Sequence, residues 1–250
     1  MNSTVSIIMP AFNSAQFISD AINSVINQSF SDWELIVIND GSTDETSEIL
    51  NKFSSKEKRI KIINFKKNLG IANARNIGLQ QSAGKFIAFL DSDDFWSEDK
   101  LIKQLVFMKK KQCKFSFTDY YIVSEEKKVL TSVDNANIQT IDYKELLKTN
   151  RIGCLTVMLD RSIIHKQTFK DIKHEDYDFW LTILNEDELL AFRIPEKLAF
   201  YRKSKGSISS NKIKSIIWVW NIYRKGQGFS VLKTNWLFLH YMINTFKKKK

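Results

Sequence analysis

Three carboxylates stand within four consecutive positions, Asp91, Asp93 and Asp94 of FLDSDDFW, directly after the apolar run Phe86–Leu90. Like charges about 4 Å apart repel by about 4 kcal/mol per pair at an effective dielectric of roughly 20, so the cluster calls for a cation. In an extended segment residues i and i+2 face the same side, which aims Asp91 and Asp93 at one ligand. Hard oxygen donors without a neighbouring His or Cys suit Mg²⁺ or Mn²⁺ rather than zinc, and such ions keep open positions for substrate phosphates. The other reading of an isolated D-x-D is a solvated turn whose Asp caps the helix that follows in WSEDKLIKQL.

The elements that must position these residues alternate. VSIIMP (Val5–Pro10) reads as a buried strand bounded by a proline that cannot donate to a ladder. SAQFISDAINSVINQS then places Phe17, Ile18, Ala21, Ile22, Val25 and Ile26 at helical spacing. WELIVIND (Trp33–Asp40) is a second strand, GSTDETSEILNKF caps and starts a second helix, IKIINF (Ile60–Phe65) is a third strand, and a helix runs through GIANARNIGLQQ before the fourth strand, FIAFL. This alternation predicts a parallel sheet with right-handed crossovers and helices on both faces. Ligands of such sheets bind beyond the carboxyl ends of the strands, where Asn13, Asp40 and Asp91 all fall. Farther on, EDKLIKQLVFMKKK and HEDYDFWLTILNE have helical spacing, and KFSFTDYYIV reads as a strand.

Composition narrows the class. With 250 residues, 43% hydrophobic and 26% charged, the chain is of ordinary globular make-up. Two cysteines, Cys113 and Cys154, make no disulfide framework and read as small buried hydrophobes in a reducing compartment. His165, His174 and His240 are too scattered for a zinc site. The opening MNSTVSIIMPAF lacks a basic leader and a long apolar core, so a cytoplasmic location is expected. Net charge is +10, and its placement is uneven: residues 202–250 hold twelve Lys or Arg and no Asp or Glu, leaving 26 basic against 28 acidic residues before them. We place a boundary near Tyr201, between a unit of residues 1–201 and a basic, aromatic-rich extension of residues 202–250.

PAFN (Pro10–Asn13), NDGSTD (Asn39–Asp44), NLGIANARNIGL (Asn68–Leu79) and FLDSDD occur in this order, and HEDYDFWL follows at His174–Leu181. Together they resemble the signature of glycosyltransferase family 2, the inverting nucleotide-sugar transferases of GT-A fold, strongly over Val5–Asp94 and again at the HEDYDFWL motif. The resemblance implies an α/β fold, a Rossmann-like and mostly parallel sheet, with residues 1–96 binding the nucleotide sugar and residues 97–201 the acceptor. It implies that Asp40 accepts a hydrogen bond from a uracil ring, that Pro10, Ala11, Phe12 and Asn13 line base and ribose, and that Ser92 lies with Asp91 against the nucleotide. Many relatives carry a hydroxylated aromatic at the position of Phe12, so a polar contact is absent here, and plain core is its other reading. Arg75 would grip a phosphate or pair with the aspartates. Asp93 would hold Mn²⁺ or Mg²⁺ with Asp91 on the ribose, or the two roles would be exchanged. The general base is expected at Asp176, with Glu175 second. YRKSKGSIS (Tyr201–Ser209) resembles a segment that folds over the diphosphate.

The implied partners are a nucleotide-sugar donor, UDP-linked, and a glycan acceptor carried on a lipid, as in capsule, O-antigen or lipooligosaccharide assembly. The extension has apolar runs too short to span a bilayer, Ile216–Trp220 and Trp236–Phe246. Basic charge beside Trp, Tyr and Phe predicts peripheral contact with the anionic inner face of the cell membrane; docking of these aromatics on the first unit is the alternative. No nucleic-acid motif accompanies the charge. Two rivals remain from the residues alone. A nucleotidyltransferase would want paired aspartates too, but also a Gly-rich basic loop that does not follow Met9. A non-catalytic membrane module would leave the acidic strand ends without purpose.

Overall fold

The computed structural model describes residues 4–186, 188–203 and 212–247, with only the backbone described for residues 212–216 and 245–247. Its first hundred residues follow the expected alternation: β1 (Val5–Ala11), α1 (Ile18–Ile26), β2 (Trp33–Asn39), α2 (Thr46–Lys56), β3 (Ile60–Asn64), α3 (Ile71–Gln81) and β4 (Phe86–Phe89). β1 pairs in parallel with β2 and β4, and β2 in parallel with β3. Every residue of β1 and β2 is buried, as a sheet covered on both faces requires. Side chains divide with period two. Ile8, Ile36, Ile38 and Phe89 enter one core with Ala72 and Ala74 of α3, while Ile7, Met9, Leu35 and Val37 enter another with Ile18, Ile22 and Val25 of α1.

Pro10 does not end its strand. It lies within β1 opposite Ile38, and β1 runs one residue further, to Ala11. The last β1–β4 pair is Ile8 with Phe89, so Pro10 has a strand on one side only, where a missing N–H breaks no ladder.

The second half departs from alternation. It comprises β5 (Phe95–Trp96), α4 (Lys100–Lys111), β6 (Phe115–Val123), β7 (Val129–Val133), β8 (Thr140–Ile141), α5 (Tyr143–Lys148), β9 (Met158–Asp160), α6 (Glu175–Glu186) and β10 (Ala191–Arg202). Among the described residues one sheet runs β3-β2-β1-β4-β9-β6-β10-β5, with β7 on β6 and β8 on β10. β9 is antiparallel to both β4 and β6, and β10 lies parallel to β6 with a bulge between Ile194 and Ala199. Short β9 thus joins the parallel half to the second half, and α6 reaches the carboxyl end of β4.

Lys100, at the start of α4, is buried. Its Nζ donates to Gln104 Oε1 at 2.5 Å and stands 4.1 Å from the centre of the Trp96 ring, whose indole N–H donates to Leu155 O. Burial pushes the ammonium down to about 7. Between that value and its ordinary one the unfolded chain holds a proton that the folded chain has released, so stability rises with pH there. Lys100→Met is expected to raise Tm at neutral pH, with a margin over the unaltered protein that shrinks toward pH of about 10 in calorimetric scans. A constant margin would refute a buried, titrating ammonium.

The extension is α7 (Lys212–Asn221), a π-helical turn over Ile222–Gly226 and α8 (Val231–Lys247). Val219, Ile222, Tyr223 and Leu237 join the core that holds Trp180 and Phe89, so the segment after the composition shift is seated on the sheet domain. No described helix is long and apolar enough to cross a membrane.

Candidate active site

The three aspartates at the end of β4 separate into three environments. Asp91 accepts from Arg75 Nη2 at 2.6 Å through one oxygen. Asp94 is buried and accepts the backbone N–H of Arg202 at 2.8 Å; burial, with Asp93 and Asp91 adjoining, pushes its carboxyl well up. Asp94 is therefore a structural member of the cluster. Asp93 has no ion pair among the described residues, and burial together with the neighbouring Asp91 raises it to about 6. A half-buried carboxylate held against its own repulsion is a group whose ionised form a cation would stabilise. Asp93 and the remaining oxygen of Asp91 supply hard donors, as Mn²⁺ or Mg²⁺ requires. Among the described residues no group of three or more His, Cys, Asp or Glu could hold a metal alone. The residues fit an ion that takes its other ligands from a diphosphate and water.

Arg75 joins the two halves of the chain. It projects from α3, is only 2% exposed, and pairs through Nη2 with Asp91 and through Nη1 with Glu175, a hundred residues away. Its Cζ lies 5.6 Å from the centre of the Phe169 ring. Of the two expected partners for this guanidinium, phosphate or aspartate, the structure shows the pair with Asp91, with Glu175 added.

Glu175 and Asp176 open α6, where the helix dipole favours carboxylates. His174 precedes them at φ 58°, and burial lowers its imidazole, which packs on Trp218 at 5.1 Å. Burial raises both carboxyls, against the opposing pull of Arg75. They differ in partners: Glu175 is committed to the Arg75 pair, whereas Asp176 makes no ion pair among the described residues. Arg75 and Asp91 act on Asp176 electrostatically, which places it beside the cluster.

On the other side of the cluster, β1 and β2 present their loops. Pro10 and Ala11 end β1 in buried positions, and Phe12 follows with 47% of its surface exposed, so the plain-core reading of Phe12 does not hold. Asn13 adopts φ 48°; its Oδ1 accepts from Thr43 N at 2.8 Å, and its own N–H donates to Ser42 Oγ. Ser92 Oγ lies 2.7 Å from Ser14 Oγ, tying the acidic loop to this edge. Asp40 is buried, and each oxygen accepts one backbone N–H, from Leu69 and Gly70 at 2.8 Å. Asp40 therefore holds the start of α3 in place, with further lone pairs left for a ligand.

Arg202 was not singled out by its sequence position, where it reads as the first charge of the basic extension. Its Nε donates to Asp93 O at 2.8 Å and its Nη2 to Asp20 Oδ2 at 2.9 Å, and the guanidinium stacks over Phe17 at 4.5 Å and Phe95 at 5.4 Å. It fastens the acidic loop to α1 and the end of β10. No spacing signal marks a partnership across 109 residues. Of the Tyr201–Ser209 segment, residues 204–209 lie outside the described residues, as do Lys248–Lys250 of the terminal lysine run.

Comparison with known proteins identifies the family and the fold. The family model described as glycosyl transferase family 2 matches residues 6–173. A Bacillus subtilis (strain 168) protein, TuaG, named as a candidate teichuronic acid biosynthesis glycosyltransferase, is 39% identical over 246 residues, covering 98% of this chain and 97% of its own. The Escherichia coli UDP-Glc:alpha-D-GlcNAc-diphosphoundecaprenol beta-1,3-glucosyltransferase WfgD is 40% identical over 218 residues, covering 87% of this chain and 84% of its own. In architecture the chain resembles residues 1–349 of S. aureus TarS, solved in complex with UDP-GlcNAc, with TM-score 0.73 and 20% identity over 97% of this chain and 72% of that one. It also resembles the mannosyltransferase PcManGT of Pyrobaculum calidifontis, solved with GDP-Man and Mn²⁺, with TM-score 0.70 and 14% identity over 97% and 74% of the two chains. These last two show the fold alone. The family match, relatives that span nearly the whole chain and the shared architecture together make this chain a member of glycosyl transferase family 2, a glycosyltransferase of GT-A fold.

Proposed function

We propose that the protein moves one sugar, with inversion, from a UDP-sugar to a hydroxyl of a lipid-linked glycan at the inner face of the cell membrane, during assembly of a surface polysaccharide. The observation that carries this reading is the division of labour among the acids: Arg75 neutralises Asp91 and Glu175, while among the described residues Asp93 and Asp176 make no ion pair. The donor and acceptor classes are supported by the substrates in the name of WfgD and by the UDP-GlcNAc complex of TarS.

Exposed Phe12 offers a ring face to the uracil, and Asp40 an acceptor for its N–H. Asp93, with Asp91, would hold Mn²⁺ or Mg²⁺, which when bound neutralises charge on the diphosphate. Asp176 takes the proton of the acceptor hydroxyl as that oxygen bonds to the anomeric carbon and the bond to the phosphate oxygen breaks.

Thermal stabilisation tests donor and metal together. A ligand that binds only the folded state adds about 2.7 kcal/mol at a hundredfold excess over Kd. UDP with Mn²⁺ is expected to raise Tm, EDTA to remove most of that shift, and Asp93→Asn to reproduce the EDTA result without metal removal. A shift with GDP or CDP in place of UDP would overturn the donor assignment. An Asp93→Asn protein that keeps the full Mn²⁺-dependent shift would overturn the metal assignment.

A further inference from the structure

Helix α8 carries apolar side chains on two opposite faces. Leu237, Phe238 and Tyr241 turn inward onto the core. Leu232, Trp236, Leu239 and Ile243 turn outward, with 83%, 54%, 60% and 42% of their surface exposed. At 3.6 residues per turn these four fall within about 60° of one another, a continuous stripe down most of the helix. Exposed apolar stripes of this extent on otherwise charged proteins mark a docking surface. The 17-residue helix does not span a bilayer, and its inner face is already occupied, so the outer stripe suits a surface that it can lie along.

The charge of this segment of the sequence selects the occupant. From Lys203 to Lys250 the chain has eleven Lys or Arg and no acid. A second copy docking here would bring two such acid-free segments together, which like-charge repulsion opposes. An anionic bilayer surface complements both features, taking the leucines and isoleucine below the headgroups, the Trp236 ring at their level, and the lysines at phosphate.

We propose that the outer face of α8 is a docking surface for an anionic lipid bilayer. The extension is joined firmly to the helix that bears Glu175 and Asp176. Gln227 Nε2 donates to Asp178 Oδ1 at 2.7 Å, the Tyr177 and Tyr223 hydroxyls are 3.4 Å apart, and a Cβ at Gly226 would stand 2.1 Å from Asp178 Oδ1, so a larger residue there would displace that carboxylate. A bilayer held by α8 would therefore be held in a defined orientation to the active site. This deepens the proposed function, because an acceptor carried on a lipid must be presented to Asp176 from a membrane.

Co-sedimentation with vesicles tests the proposal. The full chain is expected to sediment with vesicles of phosphatidylcholine and phosphatidylglycerol in roughly equal parts, to stay in solution with phosphatidylcholine alone, and to be released by high salt. Leu232→Ser combined with Leu239→Ser, both exposed, is expected to lower the partition coefficient at least about tenfold while Tm and the UDP-dependent thermal shift are unchanged. That unchanged shift separates failure of docking from failure of the transferase reading. A full chain that stays in solution with anionic vesicles, or a double variant that binds them as well as the parent, would overturn the proposal. So would equal binding to both kinds of vesicle. A concentration-dependent dimer in analytical ultracentrifugation, dispersed by the same two substitutions, would assign the stripe to a second copy instead.

Discussion

Replacing Asp176 with Asn is expected to lower kcat by about a thousandfold, within the range by which general bases contribute, and to leave UDP binding and Tm nearly unchanged. Asp176 sits at a helix start beside Arg75 and Asp91 yet makes no ion pair among the described residues, so little structure depends on its charge. Its carboxyl is raised by burial, and a base works only when ionised. The kcat profile is therefore expected to fall on the acid side at a pH above the ordinary carboxylate range, and this limb should vanish in the Asn variant. Glu175→Gln supplies the contrast: it breaks the pair with Arg75 and should lower Tm more than Asp176→Asn does. Should Asp176→Asn retain more than about a tenth of kcat while Glu175→Gln loses nearly all of it, the base would be Glu175.

Arg75→Met is expected to be the most destabilising single change in the site. It leaves Asp91 and Glu175 without their shared cation, and breaking a buried pair from one side costs about 3–5 kcal/mol. For a chain of this size that corresponds to a fall in Tm of about 10 °C. The loss should grow with rising pH. Without the guanidinium the buried Glu175 carboxyl rises further, so the folded state keeps a proton that the unfolded chain releases above about pH 4, and stability then falls as pH rises through that window. Arg75→Lys should recover only part of the loss, since an ammonium cannot present two fixed donors to two carboxylates. Adding Glu175→Gln to Arg75→Met should restore several degrees by removing one stranded charge. A Tm within about 2 °C of the parent for Arg75→Met alone would show that the bridge is incidental.

Local chemistry was legible in the sequence wherever neighbours in the chain are neighbours in space. The alternation of β1 through β4 follows from apolar runs of strand length set between helical periods, and the acids of FLDSDD sit at a strand end because the apolar run Phe86–Leu90 stops there. Asn13, Asp40 and Asp91 are gathered at one edge simply because each follows within two residues the end of a strand of the same parallel sheet. The second half was less legible. β9 has three residues, too few for a period to declare itself, and its antiparallel pairing with both β4 and β6 depends on partners distant in the chain.

What only the tertiary structure decided is which charge meets which. Asp91, Asp93 and Asp94 are alike in type and adjacent in sequence, yet one takes Arg75, one takes the backbone of Arg202, and one makes no ion pair among the described residues. Asp40 reads as a ligand acceptor and also holds the backbone of Leu69 and Gly70. Arg202 reads as the first charge of a basic extension and is instead buried against the acidic loop. The extension likewise reads as a membrane segment or as a docked one, whereas α8 packs one apolar face inward and keeps a second outward. Residue type and periodicity set which surfaces are apolar and which ends are acidic. The sign and proximity of a partner a hundred residues away are properties of the packed chain, because electrostatic pairing acts over a few ångströms of space and not along the sequence.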